Sequence, residues 1–183
     1  MSSSFSPTRR LLVASAVCLG LVGPLAAAEP DLLEQDSRAA LKTLFSTSPG
    51  ATALGVKAKA ALVFPNVVKA GFVVGGQSGD GVLLVNDKVA ARYNTSAVSV
   101  GLQAGAQSFG YVLFFMSDQA LKDFRKSKNF QVGVGPSIVF IDAGAAKDVN
   151  TLTTQADVYG VIFDQKGLMA GVGVQGSKIT KIQ

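Results

Sequence analysis

Five glycines in 22 residues constrain this chain most. They fall in Phe64–Val85, FPNVVKAGFVVGGQSGDGVLLV, at Gly71, Gly75, Gly76, Gly79 and Gly81. Each glycine costs a helix interior about 1 kcal/mol against alanine, so no long helix forms here. The Val, Leu and Phe residues between them favour strands. Glycine inside a strand marks a bulge, a bend or a close backbone approach. The stretch therefore reads as two curved strands meeting near Gln77-Ser78-Gly79-Asp80. Similar patterns recur in Val98–Met116, Val132–Ala145 and Val158–Ile182. The expected fold class is α+β: a strongly curved, barrel-like antiparallel sheet with two or three packed helices.

The helices come from periodicity. Asp31–Ser46 repeats apolar residues at Leu33, Ala40, Leu41, Leu44 and Phe45, with Glu34, Arg38 and Lys42 on the other side. Its acidic residues crowd the N-terminal half, where the helix dipole favours them. Pro49-Gly50 should stop it, and a second helix is expected over 51–60. Ser117 caps a third helix that runs to about Lys126, with Leu121 and Phe124 inward.

The strands follow. Ala61–Phe64 is a short strand that Pro65 should break. Asn86-Asp87-Lys88 is a turn, Val89–Tyr93 a strand, and Asn94-Thr95-Ser96 another turn. Val98, Val100, Leu102, Ala104 and Ala106 alternate with Ser99, Gly101, Gln103, Gly105 and Gln107, which predicts a buried apolar face and a polar one. Tyr111–Met116 is apolar on both faces, so helices should cover its outer side. Further strands are expected over 130–141, 153–164, 167–176 and 177–182, with a hairpin turn at Asp164-Gln165-Lys166-Gly167.

Composition removes whole classes of chemistry. The chain has no histidine, and its one cysteine is Cys18. Ser-His-Asp and Cys-His catalysis and His/Cys zinc sites are excluded. No aspartate spacing resembles a calcium loop. Gly171-Val172-Gly173-Val174-Gln175-Gly176 spells a dinucleotide fingerprint, but too little chain follows for the required helix. No enzyme activity, metal or cofactor is expected. The formal charge is +5, with Arg9 and Arg10 contributing two of those charges. So mild an excess permits contact with an anionic surface but does not argue for nucleic acid.

Residues 1–28 have the layout of a signal peptide: Arg9-Arg10, an apolar run over 11–25, and the small residues Ala26-Ala27-Ala28. Thr8-Arg9-Arg10-Leu11-Leu12-Val13 also resembles a twin-arginine export signal. The expectation is a periplasmic or secreted protein whose mature part, 29–183, is a single domain.

Several motifs together carry a resemblance: Phe64-Pro65, Lys69-Ala70-Gly71, Gly75-Gly76, the run from Gly79 to Leu83, Gly101-Leu102-Gln103, Gly105, Gln107, Ala120-Leu121, and GLMAGVGVQGSKIT from Gly167 to Thr180. The chain resembles the SYLF domain family, lipid-binding domains with actin-binding relatives in yeast. The resemblance implies a non-catalytic domain that associates with anionic phospholipid membranes. Two lysine-bearing segments are the candidate head-group sites: Lys57, Lys59 and Lys69 around the Phe-Pro break, and Lys122, Arg125, Lys126 and Lys128 at the end of the third helix. Solvated helix faces would account for the same residues. The alternative function is a structural or interaction protein of the cell envelope that binds a protein partner.

Overall fold

The computed structural model describes residues 31–127, 129–132, 138–144, 156–167 and 176–182, for 100–104 the backbone alone. Among the described residues, three helices and six strands follow one another. They are α1 (Leu32–Thr47), α2 (Pro49–Lys57), β1 (Ala60–Val85), β2 (Lys88–Phe115), α3 (Asp118–Lys126), β3 (Asn129–Gln131), β4 (Ile138–Asp142), β5 (Val158–Gly167) and β6 (Lys178–Lys181). The strands form one curled sheet in the order β3-β6-β2-β5-β4, with β1 also pairing β2. The α+β class and the strong curvature are as expected. All pairings are antiparallel except β4 with β5, which is parallel.

Side chains set the helix ends. Asp31 accepts from the Glu34 backbone N–H, Ser48 from Ala51 and Ser117 from Ala120. Ser48 closes α1 and opens α2 at once, and Pro49 is the first residue of α2 rather than a stop. Proline suits that position because the N–H it lacks would be unpaired there anyway.

The largest departure from expectation is the length of β1 and β2. The strands do not meet at Gln77–Asp80, and no turn forms at Asn94–Ser96. One hairpin runs from Ala60 to Phe115, and its turn is Asn86-Asp87, both at positive φ. That is a two-residue hairpin loop of the primed type, whose twist matches the strands. Arg38 on α1 clasps this turn, donating to Asp87 Oδ1 at 2.9 Å and to its carbonyl at 2.8 Å.

Pro65 does not end a strand. It lies in a bulge between Phe64 and Val67, on a strand whose only partner among the described strands is β2. An edge position leaves the missing N–H without consequence. Likewise Asp164–Gly167 is not a hairpin turn: β5 bulges past Gly110 and continues, pairing Lys166 with Ser108 and Gly167 with Gln107.

The long hairpin bends back on itself at its middle. Register shifts between Phe72 and Val74, and Val73 sits at φ +64°. Beyond the bend, the second half of β1 returns across its first half. A Cβ on Gly81 would lie 2.5 Å from the Phe64 ring, and one on Gly79 2.6 Å from the Asn66 carbonyl. Only hydrogen side chains allow so close an approach.

The curl creates two apolar layers. Its inner face collects Leu62, Phe64, Leu83, Tyr111, Leu113 and Phe115, closed by Leu121 and Phe124 of α3. Phe124 lies 4.9 Å from both Tyr93 and Phe115, ring to ring. The outer face carries Val63, Val82, Val112 and Phe114, covered by Leu44 of α1 and Leu54 of α2. Phe45 of α1 stacks on Phe114 at 6.1 Å. Helices thus cover the outer side of the doubly apolar strand end, as the sequence requires.

Candidate functional site

The described residues of the two expected lysine-bearing segments fall into three places. On α3, Ala120, Leu121 and Phe124 are buried, which turns Lys122, Arg125 and Lys126 outward. None of the three has an ion-pair partner among the described residues. Arg125 and Lys126 also occupy the last turn, where the helix dipole favours cations. Lys128 lies outside the described residues. Lys57 and Lys59 are exposed at the junction of α2 and β1. The Lys59 backbone N–H bonds the Phe115 carbonyl, three residues before α3 begins at Asp118. The α2–β1 junction and the start of α3 are therefore neighbours at one end of the sheet.

Lys69 is elsewhere. It pairs in register with Gln107, far along the hairpin from the Ala60–Phe115 end, and is only 8% exposed. Its side chain shares a strand face with Val67 and so points into the curl. The two lysine-bearing segments do not converge on a single site.

Lys69 belongs instead to a polar inner wall under the bend. Gln107 and Gln77 are buried there, and Gln77 donates to Ser177 Oγ at 2.8 Å. Tyr111 donates to Thr95 Oγ1 at 2.8 Å just below. Burial pushes the Tyr111 phenol well above the ordinary tyrosine value, opposed by its bond to Thr95. Gln107 Oε1 and Ser99 Oγ are buried without a partner among the described residues. Such groups cost about 1–3 kcal/mol each when left unsatisfied.

The opposite face of the same ribbon is apolar and turned to solvent. Val68, Ala70, Phe72 and Val74 of β1 are exposed, as are Val98 and Ala106 of β2. Phe72 is 78% exposed and Val98 80%. At the two ends of the 98–107 stretch the faces are the reverse of those expected: Val98 and Ala106 face out, and Gln107 faces in. The sequence signal for this inversion is the alternation Val68-Lys69-Ala70, whose lysine is the inward residue.

Two surface grooves flank α1. One of about 350 Å³ lies between α1, α2 and the sheet, lined by Leu41, Phe45, Lys59, Leu84 and Phe114. Another of about 330 Å³ lies between α1 and the Pro65 bulge, with Leu44, Phe163 and Asp164. Among the described residues no group of three or more carboxylates or cysteines is placed to hold a metal ion. No described helix is long and apolar enough to cross a membrane.

The comparison with known families bears on the sheet and α3 together. Residues 96–183, from mid-β2 through α3 to the end of the chain, match the family Ysc84, described as a Las17-binding protein actin regulator. Over those residues the chain is similar to the Ysc84 (SYLF) family. Protein YSC84 of Saccharomyces cerevisiae is 27% identical over 125 residues, 64% of this chain. That match covers 27% of the yeast protein, so the chain spans about a quarter of its relative's length. The SYLF motifs at Gln107 and Ala120-Leu121 lie inside the matched region, on the inner wall and on the buried face of α3. These motif positions thus serve packing and the polar interior, while the cations flanking Leu121 face outward.

Proposed function

We propose that this chain is an exported, non-catalytic lipid-binding domain, residues 29–183, that associates with anionic phospholipid membranes. The observation that carries the reading is α3. Lys122, Arg125 and Lys126 stand outward and unpaired among the described residues, on a helix locked to the core through Phe124. Cations near an anionic membrane contribute about 1 kcal/mol each. Lys57 and Lys59 add two more at the neighbouring end of the sheet. The leader that would route the chain to the periplasm or outside lies outside the described residues, so export rests on its sequence alone.

The test is vesicle binding by a variant carrying Lys122→Gln, Arg125→Gln and Lys126→Gln. Loss of three such contacts should weaken binding to phosphatidylglycerol vesicles by at least about tenfold, with the melting temperature unchanged. Equal binding by variant and parent removes α3 from the site.

A protein partner is the second reading, supported by the description of the matching family as Las17-binding. It would use the same outward face of α3 with an acidic partner segment in place of lipid.

A further inference from the structure

The bend of the β1–β2 hairpin is built inside out. Along β1, Val68, Ala70, Phe72 and Val74 face solvent while Lys69 and Gln77 are buried. Along β2, Val98 and Ala106 face solvent while Gln107 is buried. A sheet in water places its apolar residues inward. The reverse, apolar outward and polar inward, is the arrangement of strands in contact with lipid.

Charge favours the same surroundings. Neither 65–79 nor 95–117 contains an Asp or Glu. Where β2 leaves the bend on one side, Ser96 pairs with the exposed Lys178; on the other, Ser108 pairs with the exposed Lys166. Lys166 also bonds Asp164 at 3.0 Å, so Lys178 is the freer of the two. The bend thus presents an apolar crest between two lysines, with no carboxylate within 65–79 or 95–117; the nearest on its own strands is the exposed Asp80, just past Gly79 on β1.

We propose that this bend is a shallow membrane-inserting edge, with Phe72, Val74 and Val98 entering the boundary between head groups and acyl chains of an anionic leaflet. The proposal rests on the lipid reading above and assigns it a second contact, separate from α3. The depth is limited by the backbone. β1 has β2 as its only partner among the described strands, and an open strand edge does not persist in hydrocarbon. The side chains enter; the strand backbone stays at the wet interface, as interfacial elements do at depths of about 5–10 Å. The polar inner wall at Lys69, Gln77 and Gln107 then remains on the aqueous side of the crest.

The chain has no tryptophan, which gives a direct probe. Phe72→Trp places the sole indole on the crest, and Leu32→Trp places it on the exposed start of α1 as a control. Protein purified from its native host is mixed with phosphatidylglycerol–phosphatidylcholine vesicles, with and without acyl-chain bromination. The expected result is a blue shift and bromine quenching at position 72 and neither at position 32. A variant with Phe72→Ser, Val74→Ser and Val98→Ser should lose at least about tenfold in vesicle partitioning, keeping its melting temperature. Parent protein that pellets with vesicles while the indole at position 72 stays unshifted and unquenched overturns the inserting edge but leaves lipid binding through α3 intact. Parent protein that binds no vesicle overturns the lipid reading itself. A parent that is a dimer in solution, made monomeric by the serine variant without change in vesicle binding, assigns the crest to contact between copies and overturns insertion.

Discussion

Gly71 and Gly75 approach so closely at the hairpin bend that a Cβ on Gly71 would lie 2.3 Å from the Gly75 Cα. Neither backbone can yield, because both belong to paired strands: Gly71 opposite Gly105, and Gly75 opposite Ser99. Gly71→Ala should therefore open the bend and destabilise the protein by about 1–3 kcal/mol, the usual range for overpacking. Gly75→Val meets Ser99 Oγ at 3.1 Å and the Ala70 carbonyl at 3.2 Å and should cost more than about 1 kcal/mol. Gly76 is the control: its nearest neighbour would be the Ala97 carbonyl at 3.8 Å, an ordinary contact. Gly76→Ala should leave the denaturation midpoint unchanged or slightly raised, because alanine restricts the unfolded chain. Equal effects at 71 and 76 would mean that the two arms do not touch.

Tyr111 makes stability depend on alkaline pH. Its folded-state pKa is raised by burial, so the neutral phenol is favoured in the native protein. The unfolded chain ionises its tyrosines near pH 10. Stability held below that value should fall as pH climbs beyond it, since only the unfolded state releases the proton. Burial raises Tyr93 as well, opposed by the nearby charge of Arg125. Tyrosinate absorbance, free of tryptophan interference, should show a phenol that ionises only as the fold is lost. Tyr111→Phe should remove that component and cost about 0.5–1.5 kcal/mol at neutral pH through the lost bond to Thr95. A Tyr111 that titrates near pH 10 in the folded protein contradicts the buried placement.

Phe124 fastens α3 to the sheet through Tyr93, Phe115 and Phe130. Phe124→Ala should cost about 3–5 kcal/mol, as for other buried aromatics. Because α3 carries Lys122, Arg125 and Lys126, vesicle binding should fall with it even below the melting point. Amide exchange over 118–126 reports the helix directly: faster exchange with retained vesicle binding would separate the cations from their scaffold.

Export predicts its own mass. With Arg9-Arg10, an apolar run and Ala26-Ala27-Ala28, protein recovered from its native host should begin at or near Glu29. An intact mass that retains Cys18 contradicts cleavage at that position.

Much of the scaffold could be read from local chemistry. Asp31 and Ser117 announce helix starts because a side-chain oxygen satisfies a backbone N–H within three residues, a purely local matter. Leu121 and Phe124 are inward for an equally local reason, their spacing on one helix turn. Pro65 and the Gly71–Gly81 series misled because their effect depends on a neighbour. Proline breaks a central strand but not an edge, and the edge is a property of the assembled sheet. The Val98–Ala106 alternation did not fix which face is inward, since one register step exchanges the faces, and Val98 and Ala106 face out. Among the site residues, the outward cations of α3 followed from helix geometry. Lys69 did not stay with Lys57 and Lys59, because the hairpin runs on through Pro65 and carries it to the bend.

The central claim is that the domain binds lipid, and co-sedimentation with vesicles across a salt series tests it most directly. Exposed charges are screened beyond about 10 Å at 0.1 M salt, so the contribution of α3 should fade as salt rises. Apolar contact at the hairpin crest should leave a salt-resistant remainder. The account predicts binding to phosphatidylglycerol vesicles well above phosphatidylcholine vesicles at low salt, reduced but not abolished at 1 M. Folded protein that sediments with neither vesicle at any salt concentration would contradict the lipid-binding account and leave the protein partner as the function to pursue.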